Sequence, residues 1–219
     1  MTVKLSADET KDMLLATAKE LLARGLVEGT SGNLSARLPD GNVVMTPSSH
    51  PYDAMVLGDL VVVSPDGEIV DSPNGLGPTT EKALHLACLR KWEDINAVIH
   101  SHAMHCTMFA VTRQPIPCVI EEFDVFVGGE VPVAEYKITG SDELGEEVSN
   151  WVGDRAAVLM ANHGLLTVGK DPKDAMKVAS LVERTAEILI GAQRLGPIVP
   201  LPQDTLDKFA PIYKMIRGM

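Results

Sequence analysis

Ala97-Val98-Ile99-His100-Ser101-His102 is the stretch on which the architecture of this chain turns. An apolar run leads into two histidines one residue apart. Side chains alternate across a strand, so His100 and His102 leave the strand end on one face. A near copy follows at Ala157-Val158-Leu159-Met160, which reads as a buried strand running into the turn Asn162-His163-Gly164. Leu165-Leu166-Thr167-Val168 is the expected hairpin partner of that strand. Imidazoles at strand ends, joined by one carboxylate, are a common recipe for catalytic zinc. The ligand set expected here is His100, His102 and His163, with Glu81 as a fourth ligand or as the base beside the metal.

Outward from this pair, the strands are short and bounded by turns. Ser6-Ala7-Asp8-Glu9 reads as a capping box. The helix it opens carries Met13, Leu14, Ala18, Leu21 and Leu22 on one face and should stop at Gly25. Asp40-Gly41 signals a hairpin before a strand at Val43-Val44-Met45-Thr46. Leu60 to Val63 is a third strand, turned by Pro65-Asp66-Gly67-Glu68 into Ile69-Val70. The helix bearing Glu81 is expected to start near Thr79 or Thr80 and run to about Arg90. Ala103 to Val111 reads as helix, Val131-Pro132-Val133 as a short strand, and Ser141 to Val152 as another helix.

Asp171-Pro172, an N-cap followed by proline at the first helical position, starts the longest helix, expected to reach about Leu195. Pro197, Pro200 and Pro202 then lead to a last short helix over about Asp204 to Met215. Hairpin signals follow several strands directly. The expected class is therefore α/β, in three α/β/α layers with a mostly antiparallel or mixed central sheet. With 219 residues and no splitting linker, one domain over 1–219 is expected, with 197–219 as a C-terminal tail helix segment.

Composition narrows the function classes. The apolar fraction of 45% and charged fraction of 22% are those of an ordinary globule. A net charge of −11 argues against nucleic-acid and anionic-membrane partners, which repel an acidic surface. Cys88, Cys106 and Cys118 are odd in number and scattered, which fits a reducing compartment. Cys106 beside His105 reads as a small buried apolar residue rather than a nucleophile. No signal peptide is read at the N-terminus and no run is long enough to span a bilayer, so the expected location is the cytoplasm. The glycine-rich loop is neither GxGxxG nor a P-loop, and nucleotide binding finds no support.

A second constellation is a phosphate cradle. Gly29-Thr30-Ser31-Gly32-Asn33 offers amides and hydroxyls with little bulk, and Thr46-Pro47-Ser48-Ser49 adds hydroxyls after a strand. Pro78-Thr79-Thr80-Glu81 presents two more at a helix N-terminus, where free amides and the dipole favour an anion. Each loop alone is an ordinary turn or cap. Together they gain meaning because Thr79 and Thr80 adjoin Glu81, which would set a phosphate beside the metal. Glu81 also has a plain reading, since carboxylates favour helix N-termini. His85 reads as a histidine packed under the site, His105 should point away from it, and His50 has no assigned role.

Gly29-Thr-Ser-Gly-Asn-Leu-Ser35, Thr46-Pro-Ser48, Pro78-Thr-Thr-Glu81, His100-Ser-His102 and Asn162-His-Gly164 stand in the order seen in the class II aldolase/adducin family. The chain most resembles the fuculose-1-phosphate aldolase branch, from its first helix to about Leu195. The resemblance implies a zinc enzyme of α/β/α fold, usually a homotetramer of fourfold symmetry with sites at subunit interfaces. It implies that His100, His102 and His163 bind Zn2+, with Mn2+ or Co2+ as other divalent options. It makes Glu81 a resting-state ligand that becomes the acid/base, and it assigns Gly32, Asn33, Ser48, Thr79 and Thr80 to the substrate phosphate.

The chain departs from the family pattern in three places, one of them a pair of residues. Thr79-Thr80 stand for a common Ser-Ser pair, and Ser49 replaces a loop glycine. Alignment on Gly128-Gly129 puts Glu122, or its neighbour Glu121, where fuculose-phosphate aldolases carry a tyrosine from a neighbouring subunit. A carboxylic acid there can donate the proton if burial raises its pKa. The implied reaction is reversible cleavage of a phosphorylated ketose to dihydroxyacetone phosphate and an aldehyde. Epimerase, dehydratase or decarboxylase chemistry through the same metal-stabilised enolate is the alternative. A non-enzymatic adducin-like module is a remoter one, since such a module should have lost its ligands.

Overall fold

The computed structural model describes residues 5–219. Its strands are β1 (Asn33–Arg37), β2 (Val43–Met45), β3 (Val61–Val63), β4 (Ile69–Asp71), β5 (Ala97–Ser101), β6 (Val133–Ala134), β7 (Ala157–Met160) and β8 (Gly164–Gly169). They form one sheet in the order β4-β3-β2-β1-β5-β8-β7-β6. Neighbours are antiparallel except β6 and β7, which run parallel. The expected mixed sheet is thus observed, and the hairpin signals at Asp40-Gly41 and Asp66-Gly67 are what make most of it antiparallel.

Helices cover both faces. They are α1 (Ala7–Ala23), α2 (Lys82–Lys91), α3 (Met104–Thr112), α4 (Glu121–Val127), α5 (Asp142–Trp151), α6 (Pro172–Ala192) and α7 (Gln203–Arg217). Helix α6 packs on α1, α3, β5 and β8, while α2 and α5 pack on each other, α2 against β1 and β5 and α5 against β6 and β7. Strands β5 and β8 lie at the centre and are buried on both sides, which is why they read as continuous apolar runs. The Ser6 capping box opens α1, and Asp171 caps α6 with Pro172 at its first turn. No helix of the described residues is long and apolar enough to cross a membrane.

Helix α4 is absent from the sequence expectation, and among the shifted boundaries four have an identifiable cause. Helix α2 starts at Lys82, not Thr79 or Thr80. The chain before it is held extended, because the Thr79 N–H donates to the Thr46 carbonyl and the Ser48 N–H to the Gly77 carbonyl. Strand β6 is Val133–Ala134, while Val131 bridges to Ile116 instead. Pro132 between them has no N–H to carry a ladder on. Helix α6 ends at Ala192, short of Leu195, which is 92% exposed and has nothing to pack against. The last helix is longer than expected, since Arg217 anchors its end with hydrogen bonds to the Val152 and Arg155 carbonyls and the Tyr213 hydroxyl.

Candidate metal centre

The sheet register assembles the site. His100 on β5 stands opposite Asn33 on β1 and Leu166 on β8. Strand β7 ends at Met160, and a tight turn with Asn162 at φ 54° brings His163 back beside the end of β5. Asparagine tolerates that left-handed backbone better than most residues. At Gly164 an added Cβ would lie 2.4 Å from the Ser101 carbonyl oxygen and 3.2 Å from the His102 ring. Only glycine lets the two strand ends approach so closely.

The three histidines converge. The Nε2 atoms of His100 and His102 are 3.0 Å apart. The His163 ring centroid is 4.5 Å from that of His100 and 5.4 Å from that of His102. One ring nitrogen from each lies within 4.8 Å of the others. Glu81 closes the group, with Oε2 3.4 Å from His100 Nε2 and Oε1 3.4 Å from His163 Nε2. His100 Nδ1 sits 3.1 Å from the Leu165 carbonyl, which can only accept, so Nδ1 carries the proton. Its Nε2 therefore turns a lone pair toward His102 and Glu81.

This donor set fits a divalent cation. Tetrahedral zinc with bonds of about 2.0–2.1 Å would space its ligand atoms by about 3.3 Å, close to the 3.0 and 3.4 Å separations here. Charge states fit as well. Burial above all pushes His100 down, with His163 and His102 adding to it against the pull of Glu81. Burial likewise lowers His102. For Glu81, burial works upward but is outweighed by His100, by hydrogen bonds from Asn33 and Thr139, and by His163, so the carboxyl stays below its usual range. Neutral imidazoles and an ionised carboxylate are the cation-binding forms.

Glu81 is held from both sides. Asn33 Nδ2 donates to its Oε2 and the Thr139 hydroxyl to its Oε1, each at 2.8 Å. One turn along α2, His85 is fully buried with Nδ1 2.7 Å from Ser35 Oγ and Nε2 2.5 Å from Asn33 Oδ1. Burial pushes its pKa down to about 4, so the ring is neutral.

Beside this group opens a cavity of about 410 Å³. Gly32, Asn33, Ser48, Thr79 and Thr80, the residues expected to meet a phosphate, all line it, with Glu81, His102 and His163. Pairing of Pro47 with Pro78 brings two of the three loops together. Gly32 carries the third past the end of β5. At its φ of +76° an added Cβ would lie 2.6 Å from Val27 Cγ1 and 2.8 Å from the His100 carbonyl oxygen. Ser49 adopts φ 54°, the backbone that the family's glycine accommodates freely.

Other residues fall elsewhere. Glu121 and Glu122 lie exposed at the start of α4, where Glu122 Oε2 is 3.5 Å from Arg184 Nη1. Neither lines the cavity of its own chain, because Phe123, Asp124 and Val127 take the inward face of α4. His105 turns away, its Nδ1 2.8 Å from Glu183 Oε1. His50 pairs with Asp59 at 3.2 Å, and Cys106 is a buried free thiol. Tyr136, Lys137, Ile138 and Thr139, not singled out from sequence, also line the cavity. Their signal was positional, since they follow the β6 strand end and precede the Ser141 cap.

Fold and site together define a sheet-borne cluster of three histidines and a carboxylate that could hold a metal ion, beside a cavity lined by small polar residues. The model of the class II aldolase and adducin N-terminal domain matches residues 12–190, and the chain belongs to that family. It is 31% identical to an L-fuculose phosphate aldolase of Escherichia coli O6:H1, over 90% of this chain and 92% of that protein. A 5-deoxy-D-ribulose 1-phosphate aldolase of Bacillus thuringiensis serovar kurstaki is 32% identical, over 91% of this chain and 93% of its own length. A solved structure of L-fuculose 1-phosphate aldolase superposes with a TM-score of 0.89 at 31% identity, covering 98% of this chain and 100% of that one. Lyase character follows from relatives named as aldolases that align with nearly the whole chain.

Proposed function

We propose that the chain is a zinc-dependent aldolase that reversibly cleaves a ketose 1-phosphate to dihydroxyacetone phosphate and an aldehyde. The observation that carries this reading is that one cavity is lined both by His102, His163 and Glu81 and by Gly32, Asn33, Ser48, Thr79 and Thr80. His100, His102 and His163 would hold the cation, with Glu81 as the resting fourth ligand; Mn2+ and Co2+ suit the same donors. When bound, the cation supplies Lewis-acid polarisation of the substrate carbonyl.

The chain's own groups do the rest. Hydroxyls and amides of the cradle fix the phosphate, so binding energy remote from the reacting bond orients it. Glu81, kept ionised, receives and returns the proton at the carbon that parts from the aldehyde half. In the condensation direction Glu122, or Glu121, donates a proton to the aldehyde oxygen, and in cleavage it takes that proton from the substrate hydroxyl. Its exposed position on α4 suits service to a neighbouring copy's cavity in a fourfold-symmetric homotetramer. Met104, Met108 and Val111 leave an apolar stripe on α3 for such packing. A cytoplasmic location accords with three free cysteines.

The test is a panel of phosphorylated ketoses with zinc present, read by mass spectrometry. Dihydroxyacetone phosphate should appear, and His100→Ala and His163→Ala should lose both zinc and turnover. Full metal occupancy with unchanged turnover in those variants sinks the assignment. Epimerised, dehydrated or decarboxylated products select the alternative chemistries on the same cavity. A parent protein that holds no metal and turns over no substrate is instead an adducin-like interaction module.

A further inference from the structure

We propose that His85, seated on Ser35, is a positioning residue that locks the Asn33 amide so that its NH2 group holds Glu81. The inference rests on the proposed role of Glu81 at the metal. The geometry joins two periodicities. Asn33 and Ser35, two apart on β1, share a face of the sheet, and Glu81 and His85, four apart, lie one turn apart at the start of α2. The His85 ring spans the two strand residues, with Nδ1 2.7 Å from Ser35 Oγ and Nε2 2.5 Å from Asn33 Oδ1.

The direction of every hydrogen bond follows from one constraint. The Glu81 carboxylate accepts and cannot donate, so the Asn33 group 2.8 Å from its Oε2 is the NH2. The other end of the amide is then a carbonyl oxygen, which needs a donor. His85 is neutral and has a single N–H, which must therefore sit on Nε2. Its Nδ1 accepts, and the Ser35 hydroxyl donates to it.

Turning the amide over would put its oxygen against the Glu81 carboxylate and would oblige the His85 ring to move its proton from Nε2 to Nδ1. Among the described residues the second Asn33 N–H has no acceptor, and Asn33 lines the cavity. One buried histidine thus sets the presentation of both the carboxylate and a donor in the cradle. His85, Ser35 and Asn33 are each less than a tenth exposed, so water does not compete for these bonds.

The first measurement uses the unsubstituted, metal-free protein. Nitrogen-15 spectra of labelled histidine at neutral pH should show His85 protonated on Nε2 and bare on Nδ1. A proton on Nδ1 overturns the inference, because Asn33 Oδ1 would then lack its donor. The second measurement is zinc affinity by competition with a chromophoric chelator. His85→Gln keeps an N–H donor and should bind zinc within about threefold of the parent, whereas His85→Leu should lose about tenfold or more, the usual effect of removing a ligand's supporting partner.

Equal affinities in the two variants, whether both retained or both reduced, also overturn it. If His85→Leu fails to fold by circular dichroism, Ser35→Ala takes its place. That variant should weaken zinc binding and disturb the His85 tautomer, and leaving both unchanged counts against the proposal. A parent that binds no zinc strikes at the metal assignment instead, and the tautomer alone then decides this inference.

Discussion

The Thr139 hydroxyl donates to Glu81 Oε1 at 2.8 Å, across 58 residues of sequence. This single bond ties the β6–α5 loop to the carboxylate that faces the histidines. A hydrogen bond to a buried charge contributes on the order of 1.5–3 kcal/mol.

Thr139→Val keeps the shape and removes the donor. Turnover should fall by about tenfold or more, since each 1.4 kcal/mol is a factor of ten, and zinc affinity should weaken as well, because the same carboxylate is the proposed fourth ligand. Steady-state kinetics alongside metal analysis check this. Unchanged kcat would mean that Glu81 does not depend on the loop.

Acid should destabilise the metal-free protein early. His85 has an ordinary pKa of 6.5 and about 4 when folded. Between those values the unfolded chain binds the extra proton, so stability drops as pH falls from about 6.5 to about 4, by on the order of 3 kcal/mol from this group. His100 and His102, also depressed, act in the same direction. Denaturant midpoints in the presence of a chelator measure the effect. In His85→Gln the slope over that window should be shallower, and an identical slope would remove His85 as its source.

Gly164→Ala should damage the centre without touching a ligand. Its Cβ would come within 2.4 Å of the Ser101 carbonyl oxygen, which forces β5 and β8 apart. A loss of at least about 2 kcal/mol in stability is expected from strain of this kind, with weaker zinc binding. Thermal melts and chelator competition would show it, and a variant indistinguishable from the parent would contradict the close packing.

Ser49→Gly should be tolerated or stabilising. A left-handed backbone costs a non-glycine residue roughly 1–2 kcal/mol, part of which is given back as glycine's greater freedom when unfolded. A melting temperature equal to the parent's or a few degrees higher is expected. A clear decrease would mean that the Ser49 side chain makes up for its strained backbone.

Much of the centre was legible because it obeys local rules. His100 and His102 follow strand alternation, and His163 follows a buried strand and a turn, so residue type and period suffice to pair them. The cradle loops were legible for the same reason, being turns and caps of small polar residues. Thr139 was not, since nothing local links it to Glu81 and only the packing of α5 on α2 brings the loop before α5 to the start of α2. The start of α2 was misjudged because its first residues are captured by a bridge to residues 46–48, a pairing that no window of sequence contains. Glu122 illustrates the opposite case, where alignment supplied a role and the chain's own cavity does not include the residue.

The wall formed by Tyr136 to Thr139 hangs between β6 and α5, outside the hydrogen-bonded ladder that carries the histidines. Gripping jaw and exchangeable faceplate are therefore mechanically separate. On the proposed reading, the faceplate can be recut to reshape the cavity while the jaw keeps its hold, provided position 139 retains its tether to Glu81.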